Sequence, residues 1–291
     1  MRNAIEYYYN IEVDNLKQVE GRYLFDNYIL VPKQRELDLE LYNYVINLNI
    51  SNYIIIKNSK DEYLTVINNN YYILLEKIND YKLNLINLLN NKVLLGNQEI
   101  PWDEIWSEKL DYYELYLKTF TSSKLIQSNI YYSGLTENAI KFYKEIKKKY
   151  PIYLSHLRLN EKDYLNPINF IVDYKSRDIA EYLKYVFFNQ GNSLINLELI
   201  LDNLTQEELL LFFARMLYPS YYYDCYEKIN NGENDEILDA YINKIEDYEL
   251  LLYNIYNKIR AKTNIPRIDW IIKKDLSNDK SIVHPYQMIV D

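Results

Sequence analysis

Between Ser155 and Tyr185 the chain reads SHLRLNEKDYLNPINFIVDYKSRDIAEYLKY, and its charged residues are spaced in a way that could do chemistry. His156 opens a loop, the apolar run from Asn169 ends in Asp173, and Asp178 begins the helix-forming stretch Asp-Ile-Ala-Glu-Tyr-Leu. That order suits phosphoryl transfer, which needs a carboxylate beside the attacking hydroxyl and a second one, with an amide oxygen, on magnesium. It also needs a lysine at the phosphates. Asp173 is the candidate metal ligand. Asp163 and Glu181 are further carboxylates, and Lys33, after the strand Tyr28-Ile-Leu-Val-Pro, is the candidate phosphate lysine with Glu36 or Glu40 as its partner. One position works against this chemistry. Arg158 follows His156 at a distance of two, and a guanidinium with a pKa above about 12 cannot take a proton from a hydroxyl.

Each candidate also has a plain structural reading. His156 would hydrogen-bond to backbone as a buried remnant. Arg158 would bind an acidic ligand or pair with Asp173 or Asp178. Asp178 would cap its helix and accept bonds from the loop. Lys33, directly after Pro32, would be a solvated surface lysine. Trp102 and Trp106 share one face of a helix and read as core. Tyr221, Tyr222, Tyr223 and Tyr226 divide between core and an exposed aromatic face for a protein partner. Cys225 reads as a small buried hydrophobe.

The elements that must position these residues change character along the chain. Arg22-Tyr-Leu-Phe and Tyr28-Ile-Leu-Val flank the turn Asp26-Asn27, Glu36 to Asn47 is helical in period, and Tyr53-Ile-Ile-Ile-Lys and Tyr63-Leu-Thr-Val-Ile are strands. Asn68-Asn-Asn is a further turn. From Ile73 onward the pattern becomes mostly helical. A long amphipathic helix opens at Glu99 and breaks at Asn129-Ile-Tyr-Tyr-Ser-Gly, and Thr136 caps the next helix through Lys149. Thr205-Gln-Glu-Glu208 is a capping box before an apolar helix that Pro219 stops. Helices near 221–230, 235–245 and 247–262 follow, and the final 25 or so residues are less regular. The expected fold is α+β: a small mixed lobe with an antiparallel sheet over 1–76 and a larger, mainly helical lobe over 77–291.

The 291 residues are 48% hydrophobic, enough to bury a core. A net charge of −9 and a pI near 5.0 argue against a nucleic-acid binder. A single cysteine excludes an internal disulfide framework, and with only His156 and His284 beside it a zinc site is not expected. No apolar run approaches the length of a membrane span. The start MRNAIEYYYN lacks a basic-then-apolar pattern, so a cytoplasmic protein is expected. Gly21 is the sole glycine of the first 60 residues, which is poor material for a glycine-rich phosphate loop.

Trp102-Asp-Glu-Ile-Trp-Ser-Glu-Lys-Leu-Asp, Tyr131-Tyr-Ser-Gly-Leu-Thr-Glu-Asn-Ala-Ile, Asp173-Tyr-Lys-Ser-Arg-Asp-Ile-Ala-Glu and Phe213-Ala-Arg-Met-Leu-Tyr-Pro-Ser-Tyr-Tyr-Tyr-Asp together resemble the YutH/CotS-like family of kinase-like spore coat proteins. The resemblance runs in order over most of the chain and is densest from 100 to 230. It implies the two-lobed, protein-kinase-like fold of choline and aminoglycoside phosphotransferases. In active members of that fold the loop reads His-Gly-Asp, with an Asn five residues after the Asp. Arg158 then stands in the place of the catalytic carboxylate and Asp163 in that of the metal-binding Asn. Asp173 matches the metal aspartate, and Asp178 the buried aspartate that props up the loop. The link between those two aspartates is shorter than in active kinases. The expectation is a pseudokinase with no cofactor. It would act through other proteins, coat components among them, and be made in the cytoplasm and deposited on the spore. The alternative is an active small-molecule kinase using ATP and magnesium, with relocated catalytic residues drawn from Asp163, Asp173 and Glu181.

Overall fold

Tyr72-Ile-Leu-Leu places successive side chains on opposite faces of a strand, and an apolar layer forms on each side of it. This is the centre of the first of two compact units in the computed structural model, which describes residues 1–19, 21–33, 36–90, 93–117, 122–189 and 194–276. The first unit takes Met1–Asn84 with His156–Ile171, and the second takes Leu85–Ser155 with Val172–Asp291. His284 lies outside the described residues, as does most of the less regular C-terminal stretch.

In the first unit, helix α1 (Arg2–Tyr9) precedes strands β1 (Lys17–Val19), β2 (Arg22–Phe25) and β3 (Tyr28–Pro32), helix α2 (Leu39–Asn47), and strands β4 (Tyr53–Ile56), β5 (Thr65–Ile67) and β6 (Asn70–Lys77). The sheet order is β1-β2-β3-β6-β4, with β5 also on β6, and every pairing is antiparallel. Leu30, Tyr72 and Leu74 meet Ile5 and Tyr9 of α1 on one face. Val31, Ile73, Leu75, Tyr53 and Ile55 meet Tyr42 of α2 on the other. The β5–β6 hairpin turns on Asn68 and Asn69, both left-handed at φ 51° and 66°, a two-residue turn whose twist matches the strands. The sequence predicts the β2–β3 hairpin, α2, β4 and this turn. It does not predict α1 or β1, and the change to helix expected at Ile73 falls later, since β6 runs to Lys77. The chain holds to this unit through Asn84, beyond the predicted junction at 76. Asn52 exchanges side-chain bonds with both the carbonyl (2.9 Å) and the N–H (2.7 Å) of Tyr81.

The second unit begins with α3 (Leu85–Leu89), β7 (Leu94–Gln98), α4 (Trp102–Leu117) and α5 (Ser123–Ile146). Strand β8 (Tyr150–His156) then pairs with β7, and β9 (Phe170–Asp173) completes a three-stranded sheet in the order β7-β8-β9. Helices α6 (Lys175–Asn189), α7 (Leu194–Asn203), α8 (Gln206–Leu217), α9 (Ser220–Asn230), α10 (Asp239–Ile242), α11 (Ile245–Arg260) and α12 (Asp269–Leu276) follow. The predicted capping box is present, with Glu208 N–H to Thr205 Oγ1 at 3.2 Å and Thr205 N–H to Glu208 Oε2 at 2.9 Å.

Two expectations are corrected here. The break predicted at Asn129–Gly134 lies inside α5, which starts instead at a Ser122 cap. Thr136 caps nothing. Its hydroxyl bonds back to Tyr132 O at 2.9 Å and meets Tyr223 OH at 2.5 Å. Packing overrides the cost of a mid-helix glycine, because small Ser128 admits the Tyr222 ring of α9, its Oγ 3.1 Å from the phenol oxygen. The tyrosine run supplies no exposed aromatic face either. Tyr222, Tyr223 and Tyr226 are at most 2% exposed. Tyr223 stacks on Tyr113 at 4.2 Å and Tyr222 on Tyr132 at 4.0 Å, while half-buried Tyr221 donates to Glu181 O.

Candidate functional site

The loop after β8 is built on one amide. Asn169 Oδ1 accepts from Arg158 N–H at 3.2 Å, and its Nδ2 donates to Arg158 O at 2.7 Å and to Asp163 O at 3.2 Å. Its carbonyl accepts from Leu157 N–H at 2.8 Å. Sequence reasoning treats Asn169 only as the start of an apolar run; nothing local marks it as the residue that ties both ends of the loop. His156 is buried with its ring 5.3 Å from Tyr164 and 4.9 Å from Phe170. Arg158 is half-buried, and its Nη1 turns back to Leu157 O at 2.8 Å.

Asp163 is gripped by Arg22 of β2, through Nη1–Oδ1 at 2.7 Å and Nη2–Oδ2 at 3.0 Å. Asn160 Nδ2 donates to the same carboxylate at 3.0 Å. Burial pushes the Asp163 carboxyl up, but the Arg22 bonds and charge outweigh it and hold the group below the usual range. Arg22 follows Gly21, which turns β1 into β2 at φ 75°. Two residues later the loop backbone is strained: Leu165 sits at φ 55°, a left-handed conformation that a leucine rarely adopts. The Leu165 carbonyl is fixed there by Asn52 N–H at 2.9 Å and Ser51 Oγ at 3.0 Å. Lys33 bonds Glu36 at 2.7 Å, one of the two predicted partners, though Glu36 precedes α2 and does not lie on it. Lys33 is less solvated than expected: its side chain is 16% exposed and its ammonium lies 5.5 Å from the Tyr71 ring.

In the second unit Asp173 is fully buried at the end of β9. Oδ1 accepts from Tyr174 N–H at 2.7 Å and from Trp102 Nε1 at 3.0 Å, and Oδ2 accepts from Arg177 Nη1 at 2.7 Å. Arg177, and not the predicted Arg158, is thus its described ion-pair partner. Asp178 is buried and lies in the first turn of α6 as its fourth residue, not its first, because the helix starts at Lys175. A carboxylate there favours the helix dipole. Glu181 is also fully buried. Ser220 Oγ reaches both its oxygens at 2.9 Å, with Lys184 Nζ at 3.3 Å and Arg215 Nη2 at 3.5 Å from Oε1. Lys184 Nζ also donates to Tyr218 O at 2.8 Å. Arg215 lies over Trp102 at 4.6 Å, and burial, then the charge of Arg177, pull its pKa down to about 10. The sequence hint for this network is a charge within an apolar run, Phe212-Phe-Ala-Arg-Met-Leu217.

Asp163, Asp173 and Glu181 are therefore each bonded to a cation of the protein itself. Among the described residues no group of three or more His, Cys, Asp or Glu stands together as a metal site, and no helix is long and apolar enough to cross a membrane.

The fold defines the class: the protein is kinase-like, with the architecture of aminoglycoside phosphotransferases. A crystal structure of an aminoglycoside phosphotransferase from Alicyclobacillus acidocaldarius superposes with a TM-score of 0.51 over 90% of this chain and 96% of that one, at 7% identity. The AMP-bound spectinomycin phosphotransferase APH(9)-Ia gives 0.48 over 90% and 98%, at 12% identity. Within that class the chain belongs to the family described as "Spore coat putative kinase YutH", whose model matches residues 2–254. The endospore coat-associated protein YutH of Bacillus subtilis (strain 168) is 26% identical over 208 residues, 59% of this chain. The match spans 61% of that relative's length.

Proposed function

We propose that this protein is a catalytically inactive kinase-like component of the spore coat, working through structure and protein contacts and not through phosphoryl transfer. It would be made in the cytoplasm and deposited on the coat. One observation carries the reading: the carboxylates a phosphotransfer centre would draw on are already spoken for. Asp163 is held bidentately by Arg22, and Asp173 by Arg177, Trp102 and the Tyr174 N–H. Arg158, which stands where the resemblance calls for a base, has no acceptor to offer. Membership of the spore coat YutH family supports the location. The relative named for endospore coat association supports it too.

A thermal-shift series with ATP, with and without magnesium, tests the binding half. A ligand at 100 times its Kd would stabilise by about 2.7 kcal/mol, and none is expected. A phosphotransfer assay on aminoglycosides, choline and homoserine tests the other half. Product that vanishes in Asp173→Ala would establish the rival reading, an active kinase with relocated groups. Arg158→Asp is expected to leave the protein inactive, since Asp163 and Asp173 stay engaged.

A further inference from the structure

Strand β4 is the edge of the six-stranded sheet, and it is the kind of edge that invites another strand: Tyr53-Ile-Ile-Ile, apolar throughout and free of Pro or charge. Its ladder to β6 pairs Ile54 with Glu76 and Ile56 with Leu74. In an antiparallel pair alternate residues turn their backbone groups away from the partner. Here those are Tyr53 and Ile55, and each outward N–H is plugged by a side-chain oxygen. Tyr53 N–H donates to Ser51 Oγ at 3.1 Å, and the same hydroxyl donates back to Tyr53 O at 2.6 Å. Ile55 N–H donates to the phenol oxygen of Tyr42, which reaches down from α2, at 3.1 Å. Ser51 and Tyr42 are both buried, so neither oxygen is displaced by chance contact with water.

We propose that Ser51 and Tyr42 guard the β4 edge, and that the partner they hold off is the β4 strand of a second copy of this chain. A strand docks on an edge by bonding its outward N–H and C=O groups. With Tyr53 and Ile55 already satisfied, that docking would have to break intramolecular bonds first. A second copy is the occupant the chemistry fits, because the apolar run that would recognise it is the run itself, in antiparallel register. The inference stands apart from the question of catalysis.

The test is the double variant Tyr42→Phe/Ser51→Ala, which keeps ring and volume and removes both oxygens. The expected result is a folded protein by circular dichroism whose mass rises with concentration in sedimentation velocity, at concentrations where the unaltered chain shows no such rise. Adding Ile54→Lys, at a half-buried position that belongs to neither core cluster, places a charge on the edge and should return the mass to that of the unaltered chain. A folded double variant that sediments like the parent overturns the proposal, as does self-association that Ile54→Lys leaves in place. Should the double variant fail to fold, Tyr42→Phe alone carries the test. Faster amide exchange at Ile55 with a concentration-dependent mass supports the guard, and faster exchange with unchanged mass overturns it.

Discussion

Asp163 and Asp173 look alike in the sequence, each an acidic residue near a loop, yet their surroundings give them different weights. Asp163 is paired at the rim of its unit, its side chain 18% exposed and that of Arg22 26%. A bidentate, charge-assisted pair of this kind contributes about 1–3 kcal/mol. Because the folded carboxyl titrates below its unfolded value of about 3.9, that contribution is whole above about pH 5 and is lost as pH falls through the folded value. Asp163→Asn should therefore melt lower than the parent at neutral pH, and the gap should close in a melting series carried toward pH 3. A gap that persists there would mean the ion pair is not its source. Asp173 is fully enclosed, and its loss would strand the Arg177 guanidinium, whose side chain is 3% exposed. Asp173→Ala is expected to cost about 3–5 kcal/mol in denaturant unfolding. Asp178→Ala, the removal of one buried hydrogen-bonded carboxylate, should cost about 1–3 kcal/mol. That order reverses what the kinase layout alone suggests, where Asp178 is the structural aspartate and Asp173 the dispensable metal ligand.

At the scale of elements, the parts legible in the sequence are those whose causes are local. Thr205 and Glu208 lie three apart and cap α8 on their own, and β9 is a short apolar run between a 3-10 turn and a helix. The Asn68-Asn69 turn is likewise written in two residues. It makes a sharp prediction: Asn69→Val, forced into the left-handed region, should destabilise by about 1–2 kcal/mol, whereas Asn69→Gly should be neutral or stabilising. Equal melting points for the two would show that the turn does not need that conformation. What stayed hidden has distant causes. Strand β7 exists because Leu94–Gln98 pairs with Tyr150–Tyr153, more than fifty residues on. The interior of α5 carries a glycine and an Asn cluster, and only the rings of α9 explain why it continues. At the candidate site, the order histidine, strand, aspartate, helix was readable from 156 to 178. The Arg22–Asp163 clamp was not, because its two halves are 141 residues apart.

At the scale of the whole molecule, the kinase-like fold persists at 7% identity to a solved phosphotransferase, so the architecture tolerates the loss of nearly every residue in common. What remains is supplied by this chain's own interior: a sheet between two helices in one unit, and stacked tyrosines around α4, α5 and α9 in the other. The aromatic stacking has an optical consequence. All three tryptophans, Trp102, Trp106 and Trp270, belong to the second unit, and the first contains none. Trp106 is buried, stacked at 4.7 Å on Tyr218 and 5.7 Å from Tyr143, so tyrosine excitation there should pass to indole. Indole emission is therefore a native lamp for one unit, while the far-ultraviolet signal sums over both. Asn69→Val and Asp163→Asn, both in the first unit, are expected to lower the far-ultraviolet midpoint while moving the emission midpoint less. Coincident shifts would show that the two units melt as one.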